Sequence, residues 1–252
     1  MPSVFKLDIE AAMSRGIAAE WIRDTEITKE LEKQIPLLAR CRQCPGGPGH
    51  AEDLLSHLLG SLEAVKHQPV RLQWAALLHD IGKPDVMDID PKTGLLTFHK
   101  HEVEGLKPLR EIAIDLDFST DLYRYLQKMI KHHMFYFRPD STDRAFKKWL
   151  FNVGPEIDDL ILLRLADRKG NKAKVGKALI TKNMKMIQER IRKIRYENAV
   201  IFEEEVNISR AEIRKINPNA DMLSTIKQLM GLINQDPCRN TKRWIKGYLS
   251  KQ

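Results

Sequence analysis

Apolar residues recur every three or four positions through most of the chain, the spacing that places them on one face of an α-helix. Residues 51–66 show the pattern most clearly, with six leucines and valines on one wide face. No segment alternates apolar and polar residues as a half-buried strand does. The pattern therefore predicts an all-α fold, a helical bundle flanked by further helices. Helices are expected within residues 3–40, 51–66, 98–104, 121–134, 160–167, 173–199, 208–216, 220–234 and 241–249.

Glycine and proline separate these helices. The run CPGGPGH at residues 44–50 is a turn-forming linker by composition, and it lacks the spacing of a phosphate-binding loop. Gly82 and Pro84 end the apolar helix that contains Trp74 and Leu78. Residues 85–96 are polar and turn-rich, so we expect an exposed loop that could border an active site.

The composition is that of a globular protein, with 42% hydrophobic and 30% charged residues among 252. No apolar run approaches the length of about 20 residues that a helix needs to cross a bilayer. The N-terminus also lacks a secretory signal. We therefore expect a cytoplasmic protein without a membrane partner. Three cysteines cannot build a disulfide framework. Cys41 and Cys44 could supply half of a zinc site with His50, but two incidental thiols are the favoured interpretation.

The net charge of +8 is unevenly distributed. Residues 1–167 carry 22 Lys and Arg against 26 Asp and Glu, whereas residues 168–252 carry 20 against 8. The asymmetry suggests an acidic part that performs metal chemistry beside a basic part that meets polyanions such as RNA. A solvated helix face explains the basic run equally well.

The stretch AALLHDIGKP at residues 75–84 presents His79 and Asp80 side by side at the end of an apolar helix. A neutral imidazole beside a carboxylate is a ready pair of metal ligands. Lys83 adds a mobile cation that could hold an anionic substrate group. His57 lies at the edge of an apolar helical face, and Asp167 ends the apolar run LILLRLAD, where a carboxylate is costly unless it is paired or metal-bound.

Helical phase ranks the remaining histidines. His133 follows the apolar rhythm of residues 122–130, while His132 falls on the polar side, so His133 is the expected inward ligand. His99 and His101 point in different directions on a helix, and at most one should join a single metal site. His50, His99 and His132 are expected to be structural or peripheral.

The order of these candidates resembles the metal ligands of the HD-domain metal-dependent phosphohydrolase superfamily. That order is His57, then the doublet His79-Asp80, then the distant Asp167. A narrower similarity covers nearly the whole chain. The runs LLHDIGKP, FHKHEVEG, IKHHM and LLRLADRKG are similar in order and spacing to the HD region of bacterial CCA-adding enzymes, the tRNA nucleotidyltransferases. Residues 11–50 resemble the end of that family's neck, and NISRAEIRKINPNADMLSTIKQLMGLINQDPCRN resembles its C-terminal segment.

The resemblance implies a division into three parts. Residues 1–49 would be an N-terminal helical region like the end of the neck, residues 50–170 an HD-domain helical bundle, and residues 171–252 a basic helical C-terminal region. The chain does not carry the Gly-Gly-x-x-Arg-Asp turn followed by an Asp-x-Asp strand that marks the family's nucleotidyltransferase head. We therefore expect it not to add nucleotides to tRNA.

The resemblance also implies an activity of the 2',3'-cyclic phosphodiesterase, 2'-nucleotidase or phosphatase type. Metal bound by His57, His79, Asp80 and Asp167 would activate a water for attack on phosphorus. His101 and His133 resemble the extra histidines of sites that hold a second metal, and alternatively they contact phosphate or relay a proton. Lys83, Arg168 and Lys169 are the expected substrate-binding cations. The expected cofactor is one or two divalent ions: Ni²⁺, Co²⁺, Mn²⁺, Mg²⁺ or Fe²⁺.

The expected partners are a nucleotide or an RNA 3'-end, with tRNA as one candidate. Two alternatives remain open from the residues. One is an HD-type hydrolase of free nucleoside or deoxynucleoside triphosphates. The other is a tRNA-binding module whose HD site is vestigial, which rests on the basic run after Arg168.

Overall fold

The computed structural model describes residues 4–46, 52–171, 181–196, 200, 203–236 and 239–251. Within these ranges the regular secondary structure is almost entirely helical, which confirms the predicted all-α class. The helices are α1 Val4–Ser14, α2 Ala18–Ile22, α3 Thr25–Gln34, α4 Pro36–Gln43, α5 Leu54–Ala64, α6 Val70–Leu78, α7 His101–Glu104, α8 Leu106–Asp115, α9 Thr120–His132, α10 Asp143–Val153, α11 Ile157–Gly170, α12 Lys182–Tyr196, α13 Arg210–Ile216, α14 Met222–Gln235 and α15 Lys242–Leu249.

The chain divides into two compact units, which are described separately. The first contains Met1–Phe135 and Glu156–Ile180, and the second contains Tyr136–Pro155 and Thr181–Gln252. The sequence-based division at residues 49 and 170 stays a prediction.

Local chemistry explains where the helices begin. The Asp53 carboxylate accepts a hydrogen bond from the backbone N–H of Ser56 at the start of α5, and the Ser119 hydroxyl accepts one from Leu122 at the start of α9. Pro36 occupies the first turn of α4, where its missing N–H costs nothing, and α3 ends before it at Gln34.

Helix α5 is the centre of the first unit, where it packs against α11, α6, α2 and α4. The α5–α11 contact is close because glycines meet there: a Cβ added at Gly60 would lie 3.0 Å from the carbonyl oxygen of Gly170. From Leu72 to Leu78, the apolar residues of α6, including Trp74, are buried completely. The C-terminal end of α6 therefore lies in the protein interior, and the side chains that follow it are buried as well.

The expected loop at residues 85–96 contains a short antiparallel ribbon. Strand β1, Asp88–Ile89, pairs with strand β2, Leu96–Thr97. Gly94 closes the turn between them with φ of +67°, a conformation that glycine adopts without strain. Two-residue strands are too short to produce an alternating pattern, which is why the sequence did not reveal them.

The second unit has its own apolar core, built mainly from α13, α14 and α15. Ile213, Leu229, Ile233 and Ile245 are buried in it. The basic helix expected at residues 173–199 is seen as α12 Lys182–Tyr196, and residues 172–180 and 197–199 lie outside the described part of the chain. None of the described helices is sufficiently long and apolar to span a membrane.

Candidate metal centre

The ends of several helices place polar side chains in the core of the first unit. His79 caps the C-terminus of α6 with Asp80 directly after it, and His133 caps the C-terminus of α9. His57 lies within α5 and Asp167 within α11. All five side chains are buried, a costly arrangement for polar groups unless they bind one another or a cation.

A first group of candidate ligands comprises His57, His79, Asp80 and Asp167, whose ligand atoms all lie within 4.8 Å of one another. The Nε2 atom of His57 lies 3.5 Å from Oδ2 of Asp80 and 3.4 Å from Oδ1 of Asp167. The Nε2 atom of His79 lies 3.3 Å from the same Asp80 oxygen. This set of two imidazoles and two carboxylates has the composition expected of a divalent-cation site.

A second group comprises Asp80, His101 and His133. Here Oδ1 of Asp80 lies 3.0 Å from Nε2 of His101 and 3.2 Å from Nε2 of His133. The two groups therefore share Asp80, whose Oδ2 faces one histidine pair while its Oδ1 faces the other. A carboxylate in this position can bridge two ions.

Hydrogen bonds to the backbone fix the orientation of three rings. The Nδ1 atoms of His79, His101 and His133 lie 2.9, 2.7 and 2.7 Å from the carbonyl oxygens of Ala76, Phe98 and Ile130. A carbonyl oxygen only accepts, so each Nδ1 carries the proton, and in a neutral ring Nε2 is left with its lone pair.

The Nε2 atoms of the four histidines lie close together in two pairs. The Nε2 atoms of His101 and His133 are 3.2 Å apart, and those of His57 and His79 are 3.3 Å apart. Acceptors at these distances repel one another, and the adjacent carboxylates add negative charge, unless protons or cations lie between them. The donor set therefore fits divalent cations, and the histidines provide nitrogen ligands oriented as metal sites require.

The close contacts among these side chains also shift the pKa values of Asp80 and His57. Burial disfavours the charged form of Asp80, but Lys83 and the neighbouring histidines outweigh it and hold its pKa well below the usual range. Burial also opposes protonation of His57, yet the hydrogen bonds to Asp167 and Asp80 raise its pKa to about 9. Because metal binding displaces protons from such ligands, the metal affinity of this cluster must fall in acid.

Comparison of the sequence with known families gives one match. Residues 50–171 match the HD domain family, and this range contains every ligand candidate of both groups. This part of the chain is therefore similar to an HD domain.

Several curated proteins are similar to part of the chain. An A-adding tRNA nucleotidyltransferase of Deinococcus radiodurans is 28% identical over 166 residues, 64% of this chain and 38% of the relative. A multifunctional CCA protein of Actinobacillus pleuropneumoniae is 32% identical over 108 residues, 40% of this chain and 25% of the relative. A CC-adding tRNA nucleotidyltransferase of Thermus thermophilus is 28% identical over 138 residues, which are 54% of this chain and 31% of the relative. The chain thus spans well under half the length of these relatives.

Lys83 is anchored beside Asp80 rather than mobile as its sequence position suggested. Its Nζ atom lies 2.7 Å from Oδ2 of Asp80 and donates to the carbonyl oxygen of Gly46 at 3.1 Å. It also lies 5.4 Å from the centre of the Phe98 ring. Lys83 therefore neutralises the shared carboxylate directly.

Sequence reasoning missed Arg164. Its Nη1 atom lies 2.7 Å from Oδ2 of Asp167, which leaves Oδ1 of that carboxylate facing His57. The signal was the spacing in LLRLAD, since a side chain three residues earlier on a helix reaches the same face.

The other candidates lie outside both ligand groups. His132 is half-buried and His99 is exposed, whereas His133 and His101 are buried, as helical phase predicted for His133. Arg168 is half-buried and Lys169 is exposed, on the turn of α11 that follows Asp167. Their substrate-binding role stays a prediction, and His50 lies outside the described residues.

The cysteine pair forms no ligand group with the other described residues. Cys41 and Cys44 are both buried, and burial raises the pKa of each thiol. The interpretation as two incidental thiols stays a prediction, because His50 lies outside the described residues.

Proposed function

We propose that this chain is a metal-dependent phosphohydrolase acting on nucleotides or RNA ends, with 2',3'-cyclic phosphodiesters as the leading substrate class. The observation that carries the proposal is the division of the Asp80 oxygens between two histidine pairs. Such an arrangement suits a pair of divalent ions that clamp the oxygens of a phosphoryl group. The tRNA enzymes among the relatives support an RNA end as substrate.

The two groups of candidate ligands would each hold one ion. His57, His79, Asp80 and Asp167 would hold one ion, and His101, His133 and Asp80 a second. Bound divalent ions lower the pKa of water and neutralise charge on phosphoryl oxygens. Mixed imidazole and carboxylate ligands suit Ni²⁺, Co²⁺, Mn²⁺ or Fe²⁺, with Mg²⁺ as a further candidate.

Further residues would serve the phosphoryl group and the leaving oxygen. Lys83 would offset negative charge beside Asp80 as it builds up on the phosphate. Arg168 and Lys169 would contact the substrate outside the ligand groups. If only the first group holds an ion, Nε2 of His101 or His133 is left to accept a proton from the attacking water and pass it to the leaving ribose oxygen. Hydrolysis would break one ester bond to ribose and leave a phosphomonoester.

The test is a hydrolysis assay with metal analysis. Purified protein is stripped with chelator, reloaded with each ion and assayed on 2',3'-cyclic nucleotides and a generic phosphodiester. We expect metal-dependent hydrolysis that disappears, together with bound metal, in the double variant His79→Ala/Asp80→Ala. The exposed His99 offers a matched control: His101→Ala should reduce the rate at least about tenfold, and His99→Ala should leave it unchanged.

Two results would decide against the proposal. A metal-replete protein no faster than the double variant on any substrate would exclude the hydrolase. Release of pyrophosphate or triphosphate from deoxynucleoside triphosphates, without cleavage of cyclic esters, would assign the centre to free nucleotides instead.

A further inference from the structure

Helix α15 in the second unit carries a pair of stacked aromatic rings. The Trp244 and Tyr248 rings are nearly parallel, with an interplanar angle of 6° and centroids 5.4 Å apart. Both side chains pack against the apolar core of the unit yet stay half-buried, so part of each remains accessible. One turn apart on the helix, they form a two-ring aromatic stack.

Cations border this surface. The Arg239 guanidinium lies over the Trp244 ring, 5.5 Å from its centre. Arg243 and Lys251 are exposed beside the pair, and neither forms an ion pair with any residue that the structure describes. Lys242 and Lys246 differ, since both are paired with the Glu212 carboxylate, at 3.2 and 3.3 Å. Arg239 is itself paired with Asp236 at 3.4 Å, so Arg243 and Lys251 supply the positive charge that is free to meet an external anion.

A groove of about 600 Å³ runs along the stack, lined by Thr241, Arg243, Trp244, Gly247, Tyr248 and Lys251. Gly247 faces open space in this groove, because a Cβ added there would meet no atom within 4 Å. A glycine inside a helix costs about 1 kcal/mol relative to alanine, and no packing contact explains this one.

We propose that this groove binds unpaired RNA nucleotides, with a base stacked against the Trp244–Tyr248 rings and phosphates held by Arg243 and Lys251. Planar rings bordered by unpaired cations form a typical platform for single-stranded nucleic acid. The charge of the unit is complementary, since it carries 19 Lys and Arg against 10 Asp and Glu. An acidic peptide would use the cations but would leave the flat rings without a partner. The site lies outside the HD domain, so it does not depend on the proposed hydrolysis.

The test measures binding of the full chain to labelled oligo(A), alone and as a duplex with oligo(U), by fluorescence anisotropy. Excess chelator keeps the HD centre from acting, which separates this inference from the hydrolase proposal. We expect preference for the single strand. Trp244→Ala should weaken its binding about tenfold, whereas Trp244→Phe should bind within about threefold of wild type, because any aromatic face stacks.

Two glycine variants keep the test decisive if Trp244→Ala fails to fold. Gly247→Glu places a carboxylate in the groove without a clash and should weaken single-strand binding at least about tenfold. Gly231→Glu makes the same change in α14, at a site equally open, and should bind within about threefold of wild type. Equal binding by the two glycine variants, equal affinity for duplex and single strand, or no RNA binding would overturn the proposal.

Discussion

Asp80 is the single residue on which both ligand groups depend. Since its Oδ2 serves His57 and His79 while its Oδ1 serves His101 and His133, Asp80→Asn removes the charge that both ions would need. We expect this variant to bind neither ion. Metal analysis after equilibrium dialysis measures the loss.

His133→Ala provides the contrast, because it removes a ligand of the second group alone. We expect this variant to lose one ion and retain the other, which His57, His79, Asp80 and Asp167 would still hold. Retention of the wild-type metal content by Asp80→Asn would show that the shared carboxylate does not bind metal.

Arg164 acts on the centre through Asp167. Its guanidinium holds one carboxylate oxygen in place, so Arg164→Gln should lower metal affinity about 10- to 100-fold, the usual cost of losing such a partner. A competition titration with a metal-binding dye measures the change. Lys169→Gln is the control for metal affinity, because Lys169 is an exposed cation on the same helix. Equal affinities in the two variants would contradict the role of Arg164.

At the scale of elements, the contact between α5 and α11 sets the width of the centre. A Cβ at Gly170 would lie 2.4 Å from Oγ and 2.6 Å from the backbone N of Ser61, so the helices must separate to admit it. We expect Gly170→Ala to destabilise the protein by about 1–3 kcal/mol in urea unfolding. Gly231→Ala, with open space around it, should stabilise its helix by up to about 1 kcal/mol. Similar changes in the free energy of unfolding for Gly170→Ala and Gly231→Ala would contradict a packing effect.

Helix α13 begins with a capping box that responds to pH. Hydrogen bonds from the backbone and hydroxyl of Ser209 and from Lys242 lower the pKa of Glu212 to about 2. Because its folded pKa lies below the unfolded value, Glu212 stabilises the fold above about pH 4.5, and this contribution is lost as the pH falls toward 2. Thermal melting should therefore show a smaller acid-induced drop in Glu212→Gln than in wild type between these limits. An identical drop in the two proteins would exclude the effect.

For the whole molecule, metal should act as a stabilising ligand. An ion that binds only the folded state adds about 2.7 kcal/mol at a concentration one hundred times its dissociation constant. We expect chelation to lower the melting temperature and to speed hydrogen exchange in α5, α6, α9 and α11, which bring the ligands together. Asp80→Asn should show no chelator effect, and an equal effect in that variant would place the metal elsewhere.

Much of this protein could be predicted from its sequence, because helical periodicity and ligand chemistry are local properties. The three-and-four spacing of apolar residues predicted an all-α fold, and the structure confirms it. The phase of α9 separated the buried His133 from His132. The residue types at His57, His79-Asp80 and Asp167 indicated a metal-binding set before any distance was known.

Only the tertiary structure decided how those residues meet. The sharing of Asp80 between two histidine pairs depends on packing among helices that are distant in sequence, since α5 and α11 are separated by about 90 residues. Lys83 proved to be anchored because the carbonyl of Gly46, 37 positions earlier, lies beside it. The stacked rings of α15 likewise became an open surface through their placement at the edge of a core. Sequence specifies the chemical groups locally, and long-range packing sets the distances between them.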